Sequence, residues 1–166
     1  ASGAFADPAD TAITALSLSA NASLTPRLTI FGGLEYGVAT RDAVQGGLVS
    51  GLDPVTFSGF QLGLRATDVF TSDDRVTVTA SQPLRAENGT RSLDIPAGRS
   101  RDGTIAYETI TGALSPSGRQ IDLGLSYQFS PSDRAVLDFG FVYSLDAGHV
   151  QGQEAAALAA AYRQQF

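Results

Sequence analysis

The chain has no Cys, no Met and no Trp among its 166 residues. Without Cys, disulfide bonds, thiolate nucleophiles and Cys-ligated zinc sites are excluded. Charged residues are scarce at 17% of the chain, whereas average protein usage is about 25%. The formal net charge of −6 argues against a nucleic-acid partner, because phosphates require a basic surface. We expect no cofactor.

Long apolar runs are also missing, and none approaches the roughly 18 residues that identify a transmembrane helix. The strands of a membrane barrel, however, are half polar and leave no such run. The length suffices for one domain with a core or for one closed barrel. Residues 1–10 are small, polar and unpatterned. We therefore expect a flexible leader over residues 1–10 and a single antiparallel β-barrel domain over residues 11–166.

Alternation of apolar and polar residues is the dominant pattern that the chain does contain. It is clearest in residues 121–129, where apolar side chains occupy the odd positions and Asp, Gly, Ser and Gln the even ones. A period of two indicates a strand with one apolar and one polar face. The same pattern recurs over residues 16–24, 28–36, 60–67, 75–82 and 135–145. Turn residues separate these segments, which predicts an antiparallel meander.

The fold class that follows is all-β, an antiparallel meander closing into a barrel of about eight strands. Residues 104–114 are a weaker candidate for one of these strands. Without them, short breaks at 25–26, 71–74 and 130–133 all fall at one end of the sheet. The longer breaks at 39–54, 83–118 and 146–153 then fall at the other end, as in outer-membrane barrels. If residues 104–114 instead complete eight strands, that asymmetry is lost and a soluble barrel becomes more natural.

The pattern leaves open which face of each strand meets water. A soluble sandwich packs its apolar faces together, whereas a membrane barrel turns them to lipid and fills its lumen with polar groups. In the second case the side chains of Leu125 and Phe139 point away from the interior.

Charged residues on the polar faces of the strands have two interpretations. They form either a solvated surface or a network that fills a narrow lumen, because charges inside a small barrel satisfy one another. The candidate lumen network is Glu35, Arg65, Arg75, Asp122 and Asp138. For Asp122 or Asp138 we expect an Arg of another strand within salt-bridge reach.

The last segment, residues 154–165, combines two conflicting signals. Its Ala, Leu, Gln and Arg residues favour a helix by intrinsic propensity. Read back from the terminus, however, every second position carries Phe166, Gln164, Tyr162, Ala160 and Leu158. A terminal Phe preceded by alternating hydrophobic residues resembles the closing strand of Gram-negative outer-membrane barrels. In those families this strand is the signal that the barrel-assembly machinery reads, which makes Leu158, Tyr162 and Phe166 the candidate assembly signal.

A narrower resemblance covers roughly residues 118–166. Gly118-Arg119, residues 122–127 (DLGLSY), Asp146-Ala-Gly-His149 and residues 161–166 (AYRQQF) resemble the carboxy-terminal region of autotransporter-like, subtilisin-type serine proteases of alphaproteobacteria. The resemblance implies a non-enzymatic barrel of the bacterial outer membrane or cell surface that anchors, or helps export, an amino-terminal passenger protease. Its implied partners are outer-membrane lipid, the barrel-assembly machinery and that passenger. The chain is short for the twelve-stranded translocator of such families.

Catalytic and metal sites find little support in the sequence. His149 is the only histidine, so it has no second histidine for a metal site. The chain has neither a Gly-x-Ser-x-Gly elbow nor the nucleophile setting of subtilisin-type enzymes. We expect no enzymatic activity and a local packing role for His149. The acidic residues Asp73 and Asp74 fit turn chemistry better than a calcium loop.

Two non-membrane alternatives remain open. The chain could be a secreted or periplasmic β-barrel or sandwich that binds a partner protein or acts as an intramolecular chaperone. It could also be a structural protein that self-assembles through exposed strand edges.

Overall fold

A computed structural model of the chain describes residues 11–41 and 49–165. The leader predicted for residues 1–10 lies outside the described residues, as does Phe166. The described residues form ten strands: β1 (Thr11–Thr25), β2 (Leu28–Arg41), β3 (Val49–Leu52), β4 (Val55–Thr67), β5 (Arg75–Ala86), β6 (Thr90–Arg99), β7 (Ile105–Ala113), β8 (Ile121–Ser132), β9 (Ala135–Leu145) and β10 (Glu154–Gln164). A 3-10 turn spans Ala147–His149. No helix in the described residues could cross a membrane.

The strands form two sheets. The larger sheet has seven strands in the order β1-β2-β4-β5-β8-β9-β10, and the smaller has three in the order β3-β6-β7. The all-β, antiparallel prediction is confirmed. Six strands of the seven-stranded sheet coincide with segments whose period-two pattern indicated a strand, because each of them has one apolar and one polar face.

The predicted count of about eight strands is wrong. β7 (Ile105–Ala113) lies within residues 104–114, the weaker strand candidate of the sequence. Residues 39–54 and 83–103, interpreted from the sequence as longer breaks, contain β3, β6 and the ends of longer neighbouring strands. Side-chain hydrogen bonds link β6 and β7: the Thr109 hydroxyl donates to Asp94 over 2.6 Å.

The segment with conflicting signals forms a strand, β10. Alternation rather than helix propensity therefore indicates its structure correctly. β10 pairs antiparallel with β9 along its whole length, from Glu154 opposite Leu145 to Gln164 opposite Ala135. Helix propensity among ordinary residues differs by only a few tenths of a kcal/mol per residue. A continuous ladder to β9 outweighs that preference because it pairs backbone groups along the whole of the strand.

The chain divides into two compact units. One comprises Ala1–Leu16, Tyr36–Ser58 and Ala86–Pro116, and the other comprises Ser17–Glu35, Gly59–Arg85 and Ser117–Phe166. The first unit holds the three-stranded sheet. The second, called the seven-strand unit below, holds part of every strand of the larger sheet. The single barrel domain expected over residues 11–166 stays a prediction.

Short turns lie at one end of the seven-strand unit. They join β1 to β2 at Pro26-Arg27, β4 to β5 at residues 68–74, and β8 to β9 at Asp133-Arg134. Because neighbouring strands alternate in direction, the ends of β1, β4 and β8 fall on the same side of this unit. β7 belongs to the other sheet, so residues 104–114 do not add an eighth strand to this one. The asymmetry of turn lengths that the sequence predicts for seven strands is therefore present.

Glycine on the polar face lets an aromatic ring lie against the sheet. A Cβ added at Gly63 would overlap the ring of Phe31 on the neighbouring strand. The guanidinium carbon of Arg65 lies 5.3 Å from the centroid of the same ring. Phe31 is thus held between the backbone of Gly63 and a cation, a geometry that favours a cation–π interaction.

We expect Gly63→Ala to lower the free energy of unfolding by about 1–3 kcal/mol, the usual cost of forcing a methyl group into a filled space. The matched control is Gly140→Ala, because nothing lies within 4 Å of a Cβ at Gly140. That control should be neutral or slightly stabilising. Urea titrations of the purified protein measure both, and equal effects would contradict the packing of Phe31 on Gly63.

Candidate functional site: the exposed apolar face and the carboxy-terminal strand

An unbroken apolar row crosses four adjacent strands of the seven-strand unit. Register places Val78 opposite Leu125, Leu125 opposite Phe141, and Phe141 opposite Leu158. These four side chains, the apolar row, are 51%, 50%, 43% and 82% exposed, respectively. Period-two geometry puts all four on one face of the sheet, so this face presents hydrocarbon to the surroundings.

The apolar row belongs to a larger apolar face. Other exposed members are Leu18, Leu34, Leu62, Leu64, Leu123 and Phe139. Leu125 and Phe139 are therefore exposed, as the membrane orientation required. Within the described residues, Ala135 is the buried hydrophobic residue.

A shallow groove runs along this apolar face, with a volume of about 740 Å³. Its walls include Leu62, Leu64, Val78, Leu123 and Phe141. No charged side chain lines it, which distinguishes it from a site built for a polar ligand.

The opposite face carries small and polar residues. Register places Thr77 opposite Ser126, Ser126 opposite Gly140, and Gly140 opposite Ala159. This row is adjacent to the apolar row and projects to the other side of the sheet. The two faces therefore differ in chemistry as sharply as the sequence indicates.

One member of the candidate lumen network makes the expected ion pair. Asp138 on β9 pairs with Arg163 on β10 and accepts a hydrogen bond of 2.7 Å from the Gln128 side chain. Sequence reasoning named Asp138 but missed Arg163. The signal was available, because Arg163 lies at an odd position of β10, opposite in phase to Leu158 and Tyr162.

The structure does not gather the other four predicted residues into one network. Asp122 accepts a 2.8 Å hydrogen bond from the Gln120 side chain, and Arg65 lies over the ring of Phe31. Glu35 and Arg75 form no ion pair with any described residue. A lumen filled by these charges stays a prediction.

Aromatic rings form a continuous ladder at the short-turn end of the seven-strand unit. Phe70 packs edge-on against Tyr127 at 5.8 Å between ring centroids. Tyr127 stacks on Phe129 at 5.5 Å, and Phe129 stacks on Phe139 at 6.5 Å. Phe70 is 76% exposed. This aromatic ladder was missed from the sequence because its members come from the β4–β5 turn and from β8 and β9.

The turn beside this ladder is organised by one carboxylate. Asp74 is 1% exposed and accepts hydrogen bonds from the backbone N–H groups of Val69, Phe70 and Thr71 at 2.6, 2.9 and 2.9 Å. The Tyr127 hydroxyl donates to it over 3.2 Å. Burial acts to raise the pKa of Asp74, but these donors outweigh burial and hold its pKa below the ordinary value.

His149 anchors the opposite end of the unit. Its Nδ1 accepts the backbone N–H of Gln120 over 3.1 Å, so Nε2 carries the proton and donates to the Leu84 carbonyl over 3.2 Å. The Gly118 N–H donates to the His149 carbonyl over 2.7 Å. Both ring nitrogens are thus engaged in joining the β9–β10 loop to two other segments.

Asp146 completes the same junction. It accepts the backbone N–H of Gly152 over 2.8 Å and that of Arg119 over 3.1 Å. These two amides, with Gly152 the larger contributor, hold the pKa of Asp146 below its ordinary value. A Cβ at Gly118 would lie 2.6 Å from the Gln151 nitrogen, so only glycine lets the two segments approach this closely. The Asp146-Ala-Gly-His149 motif therefore has a structural role here.

The candidate assembly signal lies on β10 as far as the structure describes it. Leu158 and Tyr162 are 82% and 58% exposed, and both share a face with the apolar row. Phe166 lies outside the described residues. Among the described residues, no group of three His, Asp or Glu side chains is arranged to hold a metal ion.

Comparisons with known proteins yield no match. No protein-family model matches the chain. Neither the curated proteins nor the solved structures give a match.

We expect Asp74→Asn to lower the urea midpoint at neutral pH, because an amide cannot replace the charged acceptor of four donors. The folded-state pKa of Asp74 lies below 3.8. The contribution of the carboxylate is therefore complete above that value and disappears as the pH falls through the folded-state pKa. The difference between wild type and variant should shrink in acid.

Asp73→Asn is the matched control, since Asp73 is exposed and a neighbour in the same turn. It should leave the midpoint unchanged over the same pH range. A difference for Asp74→Asn that persists undiminished in acid would refute the role of the ionised carboxylate.

Proposed function

We propose that this chain is a non-enzymatic, membrane-embedded part of a bacterial outer-membrane-type β-barrel, which anchors or helps export an amino-terminal passenger. The observation that carries the proposal is the exposed apolar row, Val78, Leu125, Phe141 and Leu158. Fully burying a Leu or Phe side chain contributes about 1.5–3 kcal/mol. A water-soluble fold would forgo much of that gain along the whole face, whereas lipid supplies it.

Strand length supports the same proposal. A tilted membrane strand needs about 9–11 residues, and β8, β9 and β10 have 12, 11 and 11. Within lipid, every backbone polar group needs a partner inside the protein, and a closed sheet provides one. We therefore propose closure into a barrel.

In this proposal the aromatic ladder lies at a membrane boundary. Outer-membrane barrels carry aromatic girdles at both interfaces, because rings with a polar edge favour the headgroup level. The ladder of Phe70, Tyr127, Phe129 and Phe139 lies beside the short turns, the end that faces the periplasm in such barrels. Asp74 and Tyr127 supply the polar edge at that level.

The polar face of the sheet has the chemistry expected of a barrel lumen. The Asp138–Arg163 pair with Gln128 satisfies charge within the protein, which a narrow, poorly hydrated interior requires. In this proposal Glu35 and Arg75, which form no ion pair with any described residue, face lumen water.

The resemblance alone supports the passenger and the assembly machinery as partners. Autotransporter-like proteases of alphaproteobacteria present a similar terminal strand. In this proposal Leu158, Tyr162 and Phe166 are the residues that the machinery reads, and the passenger carries the protease active site.

A lysine scan over adjacent positions tests the membrane orientation. Leu125→Lys places a charge on the apolar row, at a cost of about 2–4 kcal/mol if the site lies near the bilayer midplane. Ser126→Lys is the matched control, because Ser126 is exposed on the polar face. We expect the first variant to lose folding into detergent or bilayers, measured by the shift in gel mobility between unheated and heated samples, and the second to retain it.

A soluble domain gives the opposite result. Leu125 is 50% exposed, so in water a lysine there would be tolerated. If Leu125→Lys folds and stays monodisperse without detergent, the membrane proposal is wrong.

A further inference from the structure

The three-stranded sheet ends in two strands of very different length and regularity. β3 has 4 residues, and its ladder to β6 shifts register between Val49 and Gly51. Short strands and bulges protect a sheet edge from further pairing. β7 has 9 residues, all of them exposed except Gly112, and it contains no Pro, Lys or Arg. The β6–β7 ladder is interrupted at Ala97, on the β6 side. β7 itself is therefore regular, and its outer edge lacks these protections.

The ladder to β6 determines which backbone groups of β7 point to the outer edge. The Leu114 N–H donates to the Gly89 carbonyl, and the Ser100 N–H donates to the Thr104 carbonyl, each over 2.9 Å. In an antiparallel ladder, hydrogen-bonded pairs alternate with pairs that are not hydrogen-bonded. The even-numbered residues of β7 therefore bond to β6. The outward N–H and C=O groups belong to Ile105, Tyr107, Thr109, Thr111 and Ala113, and no other described strand adjoins them.

An extended polypeptide matches this row of donors and acceptors. Its own N–H and C=O groups recur at the same spacing as those of β7, about 6.8 Å for every second residue. On the face that the odd-numbered residues share, Ile105 and Tyr107 are 47% and 59% exposed. β-Branched residues of an added strand would cover them, because aromatic–β-branched pairs across strands are favourable. The chemistry of the edge thus selects a polypeptide rather than a small molecule.

Glu108 specifies the charge of the added strand. Its side chain is exposed, projects to the face opposite Tyr107 and forms no ion pair with any described residue. In an antiparallel addition, Glu108 would belong to a pair that is not hydrogen-bonded, where the two side chains approach most closely. A Lys or Arg at the facing position would therefore neutralise the Glu108 carboxylate.

A second copy of this chain does not supply that cation through its own β7, which contains no Lys or Arg. Two copies with a net charge of −6 each would also repel one another. We propose that β7 binds an extended segment of a different protein, which carries Lys or Arg opposite Glu108 between β-branched residues. The inference concerns the three-stranded sheet alone, so it holds whether or not the seven-strand unit lies in a membrane.

A designed peptide tests the edge. Its sequence is Thr-Val-Thr-Val-Arg-Val-Thr-Val-Thr, with blocked ends, a fluorescent label and N-methyl groups on the two inner threonines. With Arg opposite Glu108, the valines face the odd-numbered residues of β7. The N-methyl groups then lie on the edge of the peptide that points away from β7, where they stop peptides from pairing with one another. Fluorescence anisotropy with the purified full chain should show saturable binding with a dissociation constant of about 1 mM or below.

Charge reversal tests the role of Glu108. Glu108→Lys should weaken binding of this peptide roughly threefold to tenfold, because an opposite-charge pair across strands becomes a like-charge pair. A peptide with Glu in place of Arg should show the reverse preference. The matched control is Asp133→Lys, which changes the net charge equally at an exposed position in the β8–β9 turn. That control should bind both peptides as the wild type does.

A proline on the edge tests the backbone pairing. Thr111→Pro removes an outward N–H that β6 does not use, and proline is tolerated on an edge strand in this orientation. The far-ultraviolet circular dichroism spectrum should therefore stay unchanged. Peptide binding should fall roughly tenfold or more, because the ring blocks strand addition.

Four results would overturn the proposal. The first is no saturable binding at about 1 mM peptide. The second is equal binding by the wild type and a folded Thr111→Pro variant. The third is an unchanged preference for the Arg peptide in Glu108→Lys. The fourth is a dimer of the chain without peptide that Thr111→Pro dissociates, since a second copy would then occupy the edge.

Discussion

The structure depends on the mismatch between a fully paired backbone and an exposed hydrocarbon face. Along β8 and β9 the ladder satisfies backbone groups while Leu125 and Phe141 stay half exposed. Folding in water normally proceeds by hiding such side chains. Here the described residues bury little besides Ala135 among the hydrophobic ones. Within the described residues, the apolar face therefore lies at the surface rather than in a protein core.

Because so few hydrophobic side chains are buried among the described residues, specific contacts between side chains stabilise the polar face. Phe31 fills the space left by Gly63 and meets Arg65, and Asp138 pairs with Arg163. Each contact depends on the register between neighbouring strands, because a slip by one residue would move these groups to the apolar face. Register is thus fixed from both sides of the sheet at once.

Alternation predicted six of the seven strands of the larger sheet, because each of these has one apolar and one polar face. For β10 it conflicted with helix propensity, and the pairing with β9 shows a strand. It missed β6, where the alternation is short: Leu93 and Ile95 alternate with Ser92 and Asp94, whose side chains bond to partners on β7. Only part of the ion pair could be predicted. The sequence places Asp138 and Arg163 each on the polar face of its strand, but their pairing depends on the register between β9 and β10, which one sequence does not contain. The aromatic ladder could not be predicted, because Phe70 reaches Tyr127 of β8 only through the β4–β5 turn.

Polar contacts hold β8 at two points. Just before the strand, Gln120 is fixed by His149, and the β9–β10 loop folds back on this point. Further along the strand, Tyr127 bonds to the Asp74 carboxylate and stacks on Phe129. Residues 121–126 lie between these two points, and among them Leu123 and Leu125 are 46% and 50% exposed. The strand is therefore held by hydrogen bonds on both sides of its most exposed apolar side chains.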